Sequence, residues 1–275
     1  MMRVADAWNE APSCYTAPAW TRRPVLQTAS DNLQRIYEND GNRPLMALLD
    51  RPVGCVLDVG CGAGRNAELL RRRYPNCEVH GITRSVAEAE IAASRMTSCR
   101  VCDIEAEIPP DLKQMRFDAL VFSHVLEHVR EPECVLRRFA PLLNEGGAIV
   151  IAVPNVLSWA MRWQFLRGHF EYQPEGVLDD THLRFFTYFT ADRYLLANNP
   201  DLRLVSKSVT GSVPLWWLRR YILPIRCSEA IDAAGCRRWP NLFAWQILLK
   251  AVYRASSGAA ALIREPERLG SAQTV

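Results

Sequence analysis

Apolar residues recur along the chain in short runs, and between those runs they return at helical spacing. Cys55–Val59, Glu78–Ile82, Arg100–Ile104, Phe117–Phe122 and Ala148–Val153 read as strands. Between them, Arg65–Tyr74 turns Leu69 and Leu70 to one side and Val86–Met96 is rich in alanine. Glu131–Leu143 gathers Val135, Leu136, Phe139, Leu142 and Leu143 on one face, with Pro141 expected to break the helix near its end. Asn144–Gly147 is expected to turn the chain into the next strand. Short apolar strands alternating with amphipathic helices predict an α/β fold, a parallel sheet covered on both faces.

The pattern changes after Pro154. Residues 157–170 read as a tryptophan-rich helix, and Thr190–Asn198 as a helix with Thr190 as its cap. Leu202–Val209 and Phe243–Val252 are the last two predicted strands. Between them lies an insertion, Gly211–Pro240, that carries Trp216, Trp217 and Trp239. Residues 1–34 are irregular and aromatic, Arg43-Pro44 introduces a short helix at Leu45–Leu49, and residues 256–275 are expected to be disordered. The expected organisation is one domain over 35–255, with cap segments at 156–186 and 211–240.

With 275 residues, 49% hydrophobic and 23% charged, the chain has ordinary globular composition, which excludes wholesale disorder. A net charge of +3 gives no argument for a nucleic-acid partner. No apolar run reaches the ~18 residues of a membrane span, and Asp6 and Glu10 in the first residues argue against a secretory leader. The nine cysteines are odd in number and mostly within apolar runs, so a reducing, cytoplasmic setting is expected. Cys99 and Cys102 have C-x-x-C spacing, but an offset of three turns their sulfurs to opposite faces of a strand.

The sharpest signal is Val56-Leu-Asp-Val-Gly60-Cys-Gly62-Ala-Gly64, a strand running into a glycine loop and then a helix. Glycines admit positive φ and let a ligand touch backbone, and the helix start adds partial positive charge. The spacing is G-x-G-x-G and position 65 is Arg, so the dinucleotide pattern G-x-G-x-x-G is not met. Asp58, a carboxylate at the strand's end, would repel a pyrophosphate and hold an ammonium group.

This chain resembles the class I S-adenosylmethionine-dependent methyltransferases over residues 35–255. Val56–Gly64 resembles the first motif of that family, and Cys102-Asp103-Ile104 the segment whose Asp meets the adenine amino group. Phe117–Val129, with Ser123, His124, Glu127 and His128, is similar to the fourth strand and the helix after it. Leu143–Asn155 is similar to strand five. Thr181-His-Leu-Arg-Phe-Phe-Thr187 resembles a stretch of the subgroup holding ubiquinone-type O-methyltransferases and bacterial glycan and small-molecule tailoring enzymes, and Tyr37-Glu38 with Arg43-Pro44 suits its first helix. The resemblance implies a Rossmann-like, seven-stranded, mostly parallel sheet with helices on both faces and helical cap insertions. It implies S-adenosylmethionine as cofactor and S-adenosylhomocysteine as product. Asp58, Gly60, Cys61, Gly62, Gly64, Thr83, Asp103, Ile104 and Ser123 would be the cofactor residues. One departure stands out: the family usually ends strand two with a carboxylate that grips the ribose, and this chain has Thr83. A neutral hydroxyl grips less well, by on the order of 1 kcal/mol. Arg84 and Glu105 are the nearby groups able to compensate.

O-methyl transfer needs the nucleophile aligned and its proton removed. His124, at the end of strand four, is the first candidate base, and His182 the second; the alternative for His124 is a packing residue. Asn155, Arg184 and Tyr172 are candidate acceptor contacts, although Arg184 could equally pair with Asp179 or Asp180. His124, Glu127 and His128 also admit a metal, but a strand end at His124 separates the two imidazoles, and no metal ligand is assigned. The expected acceptor is a small apolar or aromatic molecule, with O-methylation favoured over N- or C-methylation. The insertion is expected to be a lid or a homodimer contact rather than a membrane-surface helix. A nicotinamide oxidoreductase is disfavoured by Asp58 and Arg65, and a non-catalytic cofactor binder stays open through Thr83.

Overall fold

The computed structural model of the protein describes residues 40–255; the aromatic segment 1–34, Tyr37-Glu38 and the tail 256–275 lie outside the described residues. The elements in chain order are α1 (Arg43–Met46), β1 (Cys55–Val59), α2 (Arg65–Arg73), β2 (Glu78–Thr83), α3 (Val86–Ala92), β3 (Ser98–Val101), α4 (Pro110–Lys113) and β4 (Phe117–Ser123). There follow α5 (Pro132–Phe139), β5 (Leu143–Pro154), α6 (Trp159–Leu166), α7 (Ala191–Leu196), β6 (Leu202–Gly211), α8 (Trp216–Ile222), α9 (Ile225–Arg238), α10 (Pro240–Phe243) and β7 (Ala244–Tyr253).

The strands form one seven-stranded sheet in the order β3-β2-β1-β4-β5-β7-β6, in which β7 alone runs antiparallel to its neighbours. Successive side chains alternate between two cores. Leu57, Val59, Leu120, Phe122, Ile149 and Ile151 face Val135, Leu136 and Phe139 of α5. Val56, Ala119, Val121, Val150 and Ala152 face Leu45 of α1 and Ala67 and Leu70 of α2. The crossover from β3 to β4 reverses the strand order beside β1, which opens a crevice at the carboxyl ends of β1 and β4.

Several predicted boundaries shift. Pro141 donates no hydrogen bond, so α5 ends at Phe139 and a 3-10 turn, Ala140–Leu142, takes over. Asn144–Gly147, expected as a turn, lies within β5 but leaves the ladder: Gly146 has φ +77°, and the pairing jumps from Phe117 opposite Leu143 to Ala119 opposite Ala148. β3 stops at Val101, so Asp103 and Ile104 stand beyond the strand, at its carboxyl end. α3 stops at Ala92 and α6 covers only the middle of 157–170. Thr190 precedes α7 but does not cap it; its hydroxyl accepts from Thr187 N at 3.1 Å. Cys99 and Cys102 pack against opposite cores, as the odd offset requires.

The insertion folds as α8 and α9, tied together by Arg219 Nη2 and Asp232 Oδ1 at 2.6 Å. Its surface is mixed: Trp216, Tyr221, Ile222 and Trp239 are exposed beside Arg226, Glu229, Arg237 and Arg238. Among the described residues no helix is long and apolar enough to cross a membrane.

Candidate functional site

A cleft of about 910 Å³ opens at the carboxyl ends of β1, β2 and β4. Its wall includes Gly60, Cys61, Gly62, Thr83, Asp103, Ile104, Ser123, His124 and His182, so nine of the sequence candidates meet in one place.

The glycine loop forms the floor. Gly60 N and Cys61 N each donate to Ile82 O at 2.8 Å, which fastens the loop to β2. Gly60 has φ +75°, and a Cβ there would lie 2.2 Å from Val125 Cγ2. Gly62 has φ +51°, and its missing Cβ would face Glu88 Oε1 at 3.6 Å. The loop therefore offers bare backbone to the cleft because side chains are sterically excluded or absent. Gly64 is not in the wall. It starts α2 at φ +81°, and a Cβ would crowd Ala92 Cα at 3.3 Å, so it lets α2 and α3 approach.

Asp58 is fully buried below the loop, outside the wall, and Asn66 stands in the wall. Neither Asp58 carboxylate oxygen has a hydrogen-bond partner among the described residues. Burial pushes its carboxyl up to about 7, against a downward pull from the Asn66 side chain. A buried carboxylate that Asn66 compensates only in part, beside a glycine cradle, fits a ligand that brings a cation, and the ammonium group of S-adenosylmethionine is one.

At the end of β2, Thr83 Oγ1 donates to Glu88 Oε2 at 2.6 Å, and Ser85 Oγ, the cap of α3, accepts from Glu88 N at 3.3 Å. Glu88 is buried and lines the cleft. The carboxylate absent from position 83 thus arrives from the first turn of α3. Of the two residues expected to compensate, Arg84 lines the cleft paired with Asp103 at 3.5 Å, and Glu105 Oε1 accepts from Arg130 N at 2.8 Å. The signal does lie in the sequence, as an acidic residue one turn into the helix after β2, where a reading of strand ends does not reach.

His124 follows β4 with φ +55°, a strained conformation for a residue with a Cβ. Its Nε2 lies 2.8 Å from Gln246 Oε1, and its Nδ1 lies 3.3 Å from Glu127 Oε1. The ring stands partly exposed at the cleft mouth, and the Glu127 carboxylate and Gln246 hold the His124 pKa above its ordinary value against the cost of partial desolvation. Glu127 is fully buried; burial pushes its pKa up, and the combined pull of His124, His128 and a backbone hydrogen bond brings it below its ordinary value. Beside them, His128 Nδ1 meets Thr181 Oγ1 at 2.8 Å, and that hydroxyl donates to Asp179 Oδ1 at 2.6 Å. His182 Nδ1 donates to Val177 O at 3.0 Å, and its ring lies edge-on to that of His128 with centroids 4.6 Å apart. Glu127, His128 and His182 each bring a ligand atom within 4.8 Å of the others, so an ion would be held by these three, with His182 in place of His124.

Three expected acceptor contacts are corrected. Asn155 is fully buried, and its Nδ2 donates to Asn241 O at 3.2 Å and Ala244 O at 3.1 Å, fastening β5 to β7. Arg184 Nε donates to Arg130 O at 2.8 Å outside the cleft wall. Tyr172 is half-exposed against Phe170, away from the wall. Burial and partner choice, which decide all three, are long-range properties that motif reading does not carry. The lid expectation also moves: no described residue of α8 or α9 lines the cleft, and residues 175–183 of the other cap segment do.

The chain matches a family described as "Methyltransferase domain" over residues 31–200. It is 32% identical over 129 residues to a trans-aconitate 2-methyltransferase of Variovorax paradoxus (strain S110), covering 45% of this chain and 49% of that protein. It is 35% identical over 104 residues to a ubiquinone biosynthesis O-methyltransferase of Alkalilimnicola ehrlichii, covering 36% of this chain and 41% of that one. The match spans about half the length of these relatives. Among solved structures, the [4+2]-cyclase SpnF superposes with a TM-score of 0.50 at 18% identity, covering 81% of this chain and 87% of that one. The putative methyltransferase in complex with the Haloferax volcanii Trm112 activator superposes with a TM-score of 0.51 at 16% identity, covering 76% and 88%. At such identities these two carry the fold alone, and SpnF shows that the fold also hosts other chemistry. The family match over most of the domain, with the glycine loop and sheet order that accompany it, places this chain in the class I S-adenosylmethionine-dependent methyltransferase family.

Proposed function

We propose that the protein methylates a hydroxyl group of a small-molecule acceptor, with His124 as general base. The observation that carries this reading is the His124–Glu127 pair, an imidazole set at the mouth of β4 by a left-handed backbone and backed by a fully buried carboxylate. S-Adenosylmethionine supplies an electrophilic methyl group on a sulfonium leaving group. The loop Gly60–Gly62 and Asn66 would hold its amino-acid end, Thr83 and Glu88 its ribose, and Asp103 and Ile104 its adenine.

The remaining work belongs to the chain's own side chains. Glu127 at Nδ1 orients the ring and stabilises the imidazolium, which leaves Nε2 to take the acceptor proton. Gln246 occupies Nε2 here, but its amide also accepts from Asn42 Nδ2 at 2.9 Å and donates to Thr210 at 2.7 Å, so an acceptor hydroxyl can displace the ring from it. Val177, Leu183 and Trp245 line the same cleft and suit an apolar or aromatic acceptor body. Glu88 weakens the non-catalytic alternative, because the departure at Thr83 is made good.

The test is His124→Asn. Turnover is expected to fall by ~10²–10⁴-fold, with affinity for S-adenosylhomocysteine unchanged by calorimetry. Full turnover in that variant would leave alignment alone as the mechanism and defeat the assignment.

A further inference from the structure

Among the described residues, a second cluster of metal-ligating side chains lies away from the cleft. Cys55 opens β1 and Glu78 opens β2, and the two stand opposite each other in the parallel ladder. His80 is two residues beyond Glu78, so its side chain returns to the same face of the sheet. One ligand atom from each of Cys55, Glu78 and His80 lies within 4.8 Å of the others. None of the three lines the cleft, which opens at the carboxyl ends of the strands.

The imidazole points to a ligand. His80 is 7% exposed, and its Nε2 is buried with no hydrogen-bond partner among the described residues. Its Nδ1 lies 2.8 Å from Oγ of Ser98, the residue opposite it in β3. A proton on Nδ1, donated to that hydroxyl, leaves the Nε2 lone pair for a ligand, as in histidines that bind metals. Burial holds the His80 pKa below its ordinary value, so the ring is in its neutral, ligating form. Arg100, the cation that acts on this ring, is paired with Asp111 at 2.9 Å.

Little movement is needed to close the site. Nε2 of His80 already stands 3.8 Å from Glu78 Oε2, and the Glu78 side chain is 65% exposed, able to turn and open to arriving ions. Tetrahedral zinc sets its ligand atoms roughly 3.3–3.8 Å apart. Burial and the Glu78 and Asp118 carboxylates push the Cys55 thiol up to about 11; a dication reverses that field and sends the thiol proton to water. We propose that Cys55, Glu78 and His80 bind one zinc-class divalent cation at the amino-terminal edge of the sheet, with water completing its coordination. Thiolate, imidazole and carboxylate suit zinc or cobalt, whereas magnesium and calcium take oxygen ligands. The ion ties β1 to β2 at the edge opposite the cleft, so it adds stability and takes no part in methyl transfer.

The experiment titrates Zn²⁺ calorimetrically into the full chain, stripped with a chelator and kept reduced, and repeats the titration with Co²⁺ followed by absorbance. Zn²⁺ is expected to bind with a Kd on the order of 1 µM or below and to raise the melting temperature. Co²⁺ is expected to give a thiolate-to-cobalt charge-transfer band that Cys55→Ser abolishes. Glu78→Gln, a change at an exposed side chain, is expected to weaken Zn²⁺ binding by about tenfold or more, with the fold and S-adenosylhomocysteine affinity retained. The cleft cluster of Glu127, His128 and His182 has no thiol, so His182→Asn is expected to leave the cobalt band in place. Zn²⁺ binding that is lost in His182→Asn but kept in Cys55→Ser and Glu78→Gln would overturn the proposal by moving the ion to the cleft. A cobalt band unchanged in Cys55→Ser would overturn it too, since another cysteine would then hold the ion. Absence of Zn²⁺ binding would leave only a contact between Glu78 and His80.

Discussion

Thr83 Oγ1 and Glu88 Oε2 stand 2.6 Å apart, the hydroxyl at the end of β2 donating to a carboxylate from the first turn of α3. The pair brings a carboxylate to the end of β2, although the strand end itself is neutral, and on the proposed binding mode it would face the ribose. A charged acceptor makes a hydrogen bond worth about 1.5–3 kcal/mol. Glu88→Ala is therefore expected to weaken S-adenosylhomocysteine binding by ten- to a hundredfold, and Thr83→Val by less. Calorimetry checks both, and a Glu88→Ala variant of unchanged affinity would remove Glu88 from the site.

Asp58 makes stability and binding oppose each other. Its folded-state pKa is raised from 3.8 to about 7, so between those values the unfolded chain binds fewer protons than the folded one. Stability from this group is therefore lost as pH rises through that window. Asp58→Asn is expected to raise the melting temperature relative to wild type at pH 8, with no gain at pH 4. The same variant is expected to bind S-adenosylmethionine at least tenfold more weakly, since no buried negative charge remains for its ammonium group. Equal melting temperatures at pH 8 would show that the carboxyl finds solvent.

The His124–Glu127 pair sets a pH profile. The Glu127 carboxylate holds the imidazolium, so His124 loses its proton above its ordinary range and turnover should rise with pH through that raised value. Glu127→Gln removes the negative charge. The acidic limb is expected to move to lower pH and the plateau to fall, because the ring loses its orienting partner. A plateau that falls with no movement of the limb would mean that a different group titrates.

The sheet was legible because its evidence is local. Val56 and Leu57, or Val150 and Ile151, alternate between two cores, and buried strands between amphipathic helices allow few arrangements. The glycine loop was legible for the same reason, as its chemistry lies in nine consecutive residues. Glu88 was missed because a helical turn carries it back to Thr83. Asn155 was misread because its partners, Asn241 and Ala244, lie 86 and 89 residues away. Gln246 comes from β7, 122 residues from His124, and nothing near either residue announces the contact.

Closure of the cleft is expected to depend on Gln173–Arg184 and not on the insertion. Leu183 N and Arg184 N both donate to Glu127 O, at 2.8 and 3.0 Å, so this segment is fastened to the turn that carries the base partner. Arg184 adds a clamp onto Arg130 O, charge-assisted and at 2.8 Å from Nε. Arg184→Ala should loosen the segment, raise the acceptor KM about tenfold and leave S-adenosylhomocysteine affinity alone, because the cofactor loop is fastened separately to Ile82. Tyr221→Ser in α8 touches no part of the cleft wall and is expected to leave both constants at wild-type values. Steady-state kinetics on the two variants separate the roles. A large KM effect from Tyr221→Ser, with none from Arg184→Ala, would return the lid to the insertion.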